Sequence, residues 1–292
     1  MKIGLGTAQF GMDYGISNRE GQTSTDEVVR ILEVARQNRI SVIDTAALYG
    51  ASEEVLGRTL PRDHEFRLVT KTIRIDVDRI TGEDADRMEQ AFFSSLEKLS
   101  GCGVYGLLFH NTDDLLAEGG ELLLERMEAL RHTGRIEKIG VSVYTAEQLD
   151  AILELMEPDI VQLPMNVLDQ RLLAGGRLAA LKSRNIEIHV RSAFLQGLLL
   201  MDPESLPDFF ASARRHLEGY HAFLRENSIT PVRAALGFLA GRFEIDCIVC
   251  GVNNHRQLME LCRSAAPLPD IDFSTFALDD ATLLNPSCWG VA

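Results

Sequence analysis

Ile136-Glu137-Lys138-Ile139-Gly140-Val141-Ser142 is followed by Thr145-Ala146-Glu147-Gln148 and then by Ile160-Val161-Gln162-Leu163. The two outer runs are short and rich in β-branched residues, as strands are. Between them Leu149, Ile152, Leu153 and Met156 recur at helical spacing. Thr145-x-x-Gln148 is a capping-box pattern at the helix start, and Pro158 ends the helix before the second strand. Strand, helix and strand within roughly 30 residues make a βαβ unit. Gly134, three residues after Arg131, fits the C-cap of the helix that precedes it.

Outward from this unit the same alternation runs from residue 3 to about residue 263. The runs that read as strands are Ile3–Thr7, Val42–Ala46, Arg67–Thr72, Tyr105–His110, Ile136–Ser142, Ile160–Leu163, Glu187–Arg191 and Cys247–Gly251. Helix signals follow each of them. Ser24-x-x-Glu27 reads as a capping box opening a helix with Val28, Leu32 and Ala35 on one face, and Met88, Ala91, Phe92, Ser95, Leu96 and Leu99 form another stripe. Eight βα units with no break in composition predict a closed (β/α)8 TIM barrel, an α/β fold forming a single domain over residues 1–292. The stretch from Leu198 to about Ser228 is too long for one connection, so an excursion with an extra helix around Phe210–Glu226 is expected after the seventh strand. From Ala266 onward, Pro267, Pro269, Pro286 and Trp289 describe a C-terminal tail packed on the barrel. With the first strand starting at Lys2, the barrel floor is expected to have a different or open plug, with no hairpin before that strand.

Composition narrows the function. The chain has 29 Lys and Arg against 43 Asp and Glu, a formal charge of −14, and this argues against a nucleic-acid partner, whose footprint would be basic. Hydrophobic residues at 46% and charged residues at 25% are those of a globular chain. No apolar stretch reaches the roughly 18 residues of a membrane span. Met1-Lys2-Ile3-Gly4 leads into a strand without a secretory signal pattern, so a cytoplasmic protein is expected. Five cysteines at irregular spacing do not spell a disulfide framework, and Cys247 and Cys250 read as buried core thiols. His132, His216, His221 and His255 lack ligand spacing, so no metal is expected. Gly101-Cys102-Gly103-Val104-Tyr105-Gly106 fits GxGxxG, but it leaves a helix and enters a strand, which makes it a turn. Asp113-Asp114 read as an N-cap and dipole partner for the helix after the fourth strand.

A barrel of this kind builds its site at the C-terminal ends of the strands. The second strand closes in Asp44-Thr45-Ala46-Ala47-Leu48-Tyr49-Gly50, the third in Lys71, and the fourth in His110. These adjacent strands bring a carboxylate, a phenol, an ammonium and an imidazole to one mouth. A buried Lys favours a neighbouring phenolate and lowers the phenol pKa, while Asp44 keeps Lys71 charged. Such a Tyr can protonate a developing alkoxide, and a neutral His can orient the same oxygen.

These residues resemble the aldo-keto reductases, nicotinamide-dependent (β/α)8 barrels that reduce aldehydes and ketones with an Asp, Tyr, Lys, His tetrad. The resemblance spans nearly the whole chain: Gly4-Leu5-Gly6-Thr7, Asp44-Thr45-Ala46-x-x-Tyr49-Gly50 with Glu53-x-x-Leu56-Gly57, then Lys71, then His110. It implies Tyr49 as general acid, Asp44 and Lys71 as its tuning pair, and His110 as the group that orients a small-molecule carbonyl substrate. It also implies a cofactor side made of Gly6, Thr7, Asp44, Ser142, Gln162, Arg191, Ser192, Leu195, Gln196, Gly197, Gly251, Val252, Asn253, Gln257 and Glu260. Several positions depart from the pattern. Val143 replaces the usual Asn, Arg191 stands where an aromatic stacks on the nicotinamide, and Gln257 and Leu261 replace an Arg and an adenine-binding Asn. Arg191 could stack in the aromatic's place or face the pyrophosphate or the substrate. NADP is the first choice by resemblance and NAD the second. Phe10, Leu48 and Trp289 are candidate substrate contacts. Two other functions stay open: a nucleotide-binding sensor or regulatory barrel with little turnover, and a barrel isomerase or aldolase using Lys71 as a Schiff base.

Overall fold

The computed structural model describes residues 2–289. Parallel strands β1 (Ile3–Gly6), β2 (Val42–Asp44), β3 (Arg67–Lys71), β4 (Val104–Phe109), β5 (Ile136–Ser142), β6 (Ile160–Pro164), β7 (Glu187–Arg191) and β8 (Cys247–Gly251) form a closed barrel in sequence order. β8 pairs back onto β1, with Ile3 opposite Ile248 and Gly6 opposite Gly251. The expected (β/α)8 barrel is therefore the fold.

The helices are α1 (Ala8–Gly11), α2 (Thr25–Gln37), α3 (Ser52–Thr59), α4 (Gly82–Lys98), α5 (Asp113–Leu116), α6 (Glu121–His132), α7 (Ala146–Leu155), α8 (Arg177–Ser183), α9 (Arg214–Glu226), α10 (Pro231–Ala240), α11 (His255–Ser264) and α12 (Ala281–Leu284). Their apolar stripes face the outside of the barrel: Val28, Leu32 and Ala35 of α2 are buried, as are Met88, Phe92 and Ser95 of α4 and Leu149 and Ile152 of α7. Thr145 caps α7 by accepting from the Gln148 backbone N–H. Gly134 has φ of +71° and donates to the Arg131 carbonyl, the turn its position called for.

Inside the barrel Val42, Val69, Tyr105, Leu108, Ile160 and Cys247 form a separate apolar cluster. The register between β3 and β4 skips one residue, pairing Leu68 with Val104 but Val69 with Gly106. This bulge lets Tyr105, three positions from Leu108, join it inside the barrel, where plain alternation would put them on opposite faces. Cys247 and Cys250 are buried free thiols. At the floor, the Tyr105 hydroxyl donates to Glu187 Oε1 at 2.6 Å and Lys138 Nζ donates to the same oxygen at 2.7 Å. His189 Nε2 lies 3.4 Å from Glu187 Oε2, and Arg67 sits 4.9 Å from the Tyr105 ring centre. Side chains from β3, β4, β5 and β7 meet at this end.

Three local expectations need correction. The Ser24-x-x-Glu27 box does not form, because the Glu27 carboxylate is bonded instead to His255 at the start of α11. Residues Asp208–Ala213 are a 3-10 turn and α9 starts only at Arg214, with Phe210 buried edge-on against Trp289 at 4.8 Å. Asp114 is not an N-cap: its carboxylate accepts from the Ile75 and Asp76 N–H groups and pins the loop after β3, while Thr112 precedes the helix. The tail does pack on the barrel as far as Trp289, whose indole donates to the Leu283 carbonyl at 3.0 Å. Its last three residues lie outside the described part.

Candidate active site

A cavity of about 510 Å³ opens at the C-terminal mouth of the barrel, where the strand ends place Asp44, Tyr49, Lys71 and His110 together in its wall. Lys71 Nζ donates to Asp44 Oδ1 at 2.7 Å, to the Thr45 carbonyl at 2.9 Å, and lies 3.4 Å from the Tyr49 hydroxyl. Side-chain exposures of 1% for Lys71 and 4% for Asp44 make this a buried ion pair. The other Asp44 oxygen, Oδ2, accepts from Gln162 Nε2 at 2.7 Å. The Tyr49 and His110 rings meet edge to face at 5.9 Å.

The turn carrying Tyr49 is held from below and beside. The Ser52 hydroxyl donates to the Thr7 carbonyl at 2.8 Å and lies 3.1 Å from the Thr45 hydroxyl, and the Thr7 hydroxyl donates to the Asp44 carbonyl at 2.9 Å. Gly50 has φ of +56°, and a Cβ there would stand 2.3 Å from the Gly11 carbonyl oxygen. A Cβ on Gly11 would stand 1.9 Å from the Tyr49 carbonyl oxygen. The two backbones thus touch where neither tolerates a side chain.

Burial, then the negative charge of Asp44, pushes the Tyr49 phenol up, against the pull of Arg191. This corrects the expected lowering: burial, the largest cause, sets the direction upward, and Tyr49 carries its proton near neutral pH. Burial, followed by the charges of Lys71, Arg74 and Arg191, pushes the His110 imidazole down to about 3, so it is neutral near neutral pH. His110 Nδ1 has no hydrogen-bond partner among the described residues.

Gly6, Thr7, Ser142, Gln162, Arg191, Ser192, Gln196, Gly197, Gly251, Val252, Asn253, Gln257 and Glu260 all line the same cavity, as the sequence suggested. Leu195 does not: it is fully buried in the core. Leu195 and Gln196 both have positive φ, a turn that hides the first and leaves the second at the cavity. Phe10, Leu48 and Trp289 are not in the wall either; Phe10 and Trp289 are buried and Leu48 faces solvent. Val143 is buried among apolar residues, and its carbonyl accepts from Arg191 Nη2 at 3.1 Å. The Arg191 guanidinium lies 4.0 Å over the Tyr144 ring.

Tyr14, Ser17, Asn18 and Tyr144 also line the cavity and were missed. Tyr144 sits two residues past the end of β5, so extending the strand-end rule by two positions would have found it. The others lie in the loop after β1, which crosses the mouth: Gln196 Nε2 is 3.4 Å from the Tyr14 hydroxyl, and Asn253 Nδ2 donates to Asn18 Oδ1.

The class is that of a (β/α)8 barrel with its site at the carboxyl ends of the strands, and solved structures share the fold. The glycerol dehydrogenase AKR11B4 from Gluconobacter oxydans superposes with a TM-score of 0.71 at 19% identity, over 92% of this chain and 88% of that one. The holo form of aldo-keto reductase AKR11C1 from Bacillus halodurans gives 0.70 at 19% identity, over 91% and 88%. Aldo-keto reductase YhdN of Bacillus subtilis (strain 168) is 27% identical over 205 residues, which are 68% of this chain and 60% of that protein. The chain belongs to the aldo/keto reductase family, whose family model matches residues 2–277.

Proposed function

We propose that this protein is a nicotinamide-dependent reductase that converts an aldehyde or ketone of a small molecule to the alcohol, with Tyr49 as proton donor. The observation that carries this is the Tyr49 hydroxyl placed 3.4 Å from a buried Lys71 whose charge is fixed by Asp44. The donor set suits such a cofactor: Ser142 and Gln162 flank the Tyr49 end, and Arg191 and Gln196 stand along the wall. When bound, the nicotinamide supplies hydride to the carbonyl carbon. Tyr49 gives its proton to the carbonyl oxygen as charge develops there, and the Lys71 ammonium stabilises the phenolate left behind. Neutral His110 orients the oxygen without competing for the proton. Asp44 and Gln162 keep the assembly aligned, and burial excludes water from it.

The same geometry weighs against Schiff-base chemistry. The Lys71 ammonium is engaged by Asp44, the Thr45 carbonyl and Tyr49, so it has no free lone pair to attack a carbonyl. No helix among the described residues is long and apolar enough to cross a membrane. We place the protein in the cytoplasm, in keeping with its free cysteines. The test is Tyr49→Phe, assayed over a panel of aldehydes and ketones with cofactor affinity measured by calorimetry. Turnover falls by orders of magnitude while affinity stays within a few-fold; retained turnover would remove Tyr49 from the chemistry. Tight cofactor binding with no turnover of any carbonyl by the unmodified protein would favour a sensor instead.

A further inference from the structure

We infer that the groove takes NAD(H) in preference to NADP(H), because its far end is anionic and the helix start beside it is already filled by a carboxylate of the protein. The inference rests on the nicotinamide reading above. With the reacting ring beside Tyr49, the opposite end of the same cavity, formed by Asn253, Gln257, Glu260 and Leu261, receives the adenosine half. The cations in the cavity wall are Lys71 and Arg191, and both belong to the Tyr49 end, the first in contact with Tyr49 and the second stacked on Tyr144. At the far end the ionisable group in the wall is Glu260.

A helix start normally offers free N–H groups and a positive dipole end to a phosphate. Here two of those donors, the His255 and Gln257 N–H groups, are engaged, as is the Asn253 N–H just before them. The His255 N–H donates to Glu27 Oε1 at 2.7 Å, the Gln257 N–H to Asn254 Oδ1 at 3.0 Å, and the Asn253 N–H to Gln257 Oε1 at 2.8 Å. His255 Nδ1 adds a second contact to Glu27 Oε1 at 2.6 Å. Glu27, reaching across from α2, is the anion this helix start holds. Burial alone would raise its carboxyl, but the His255 N–H and ring, with Arg30, bring it down to about 2, so it stays charged at working pH. The nearby Arg30 is bonded to Glu27 at 2.8 Å, and Arg256 does not line the cavity.

A ribose 2′-hydroxyl can donate to a carboxylate such as Glu260, whereas a 2′-phosphate there meets like charge and no cation in the cavity wall. Gln257, its Oε1 turned back on Asn253, offers only its amide donors.

The experiment is titration calorimetry of the whole protein with NADH and NADPH, and separately with ADP-ribose and its 2′-phosphate, which probe the far end alone. NADH and ADP-ribose are expected to bind at least about tenfold tighter than their 2′-phosphorylated counterparts. Glu260→Arg should narrow or reverse that ratio, and Glu27→Gln, by removing the competing anion at the helix start, should improve NADPH binding relative to NADH. Equal or tighter binding of NADPH by the unmodified protein overturns the inference and leaves the reductase reading standing. Binding of neither dinucleotide sinks both.

Discussion

Gln162 Nε2 donates to Asp44 Oδ2 at 2.7 Å while Lys71 Nζ donates to Oδ1 at 2.7 Å, so both oxygens of one buried carboxylate are committed across the barrel. The residue that the resemblance assigned to the cofactor side thus also holds the Asp44 carboxylate. Gln162→Leu leaves Oδ2 without its partner and should cost about 1–3 kcal/mol of stability. It should also lower kcat, because Lys71 loses its fixed counter-ion geometry. Denaturant unfolding and steady-state kinetics on the same variant check both; unchanged stability and kcat together would mean the bond is incidental.

Lys71 and Asp44 should show non-additivity. Removing either partner alone strands a buried charge, and Lys71→Met is expected to destabilise by about 3–5 kcal/mol. The double variant Asp44→Leu with Lys71→Met strands none and should be more stable than the single one. A double-mutant cycle by chemical denaturation reads this directly.

Stability should fall with acid in two stages. His110 is pushed down from 6.5 to about 3, mainly by burial, so the unfolded chain binds the proton first. Its contribution is complete above pH 6.5 and is lost as pH falls from there toward about 3. For Glu187, burial raises the carboxyl, but bonds from His189, Lys138 and Tyr105 outweigh it and bring it from 4.5 to about 2. Its contribution is present above 4.5 and is lost toward about 2. Melting temperatures across pH should show both windows, and Glu187→Gln should flatten the lower one. An NMR titration should show His110 neutral from about pH 5 to 8.

Gly50→Ala is expected to be costly for its size. The left-handed backbone alone costs about 1–2 kcal/mol for a residue with a Cβ. The added carbon would also collide with the Gly11 carbonyl oxygen, 2.3 Å away, so the turn bearing Tyr49 must shift. The expected signature is a drop in kcat beyond what the lost stability explains, with cofactor affinity largely retained.

Arg191→Lys should not substitute for Arg191. The guanidinium lies over the Tyr144 ring at 4.0 Å and also reaches the Val143 carbonyl, and an ammonium cannot offer both a planar face and that second donor. Both Arg191→Lys and Arg191→Leu should weaken cofactor binding by calorimetry. Recovery of full affinity by the Lys variant would reduce the role of Arg191 to charge.

The barrel was legible because short β-branched or apolar runs alternate with stretches of helical period, and Asp44, Tyr49, Lys71 and His110 were legible because strand order makes neighbours of consecutive strand ends. What escaped was set by distant partners. The Ser24 box failed since Glu27 found His255, 228 positions away, and local spacing carries no trace of that contact. Tyr14 and Asn18 escaped because a loop that crosses the mouth is defined by where it lands. The Tyr49 phenol was misjudged because burial, the largest cause of its upward shift, is a property of the closed fold.

The Glu27–His255 contact joins α2 to α11, the helix after β8, and Asn18 with Asn253 does the same for the loops before them, 235 positions apart. During synthesis, the far wall of the groove therefore does not exist until the last strand has closed on the first. Contacts of such sequence separation are slow to form. Nucleotide-binding competence should be the last property the nascent chain acquires, and it should reappear later than secondary structure when the denatured protein is refolded.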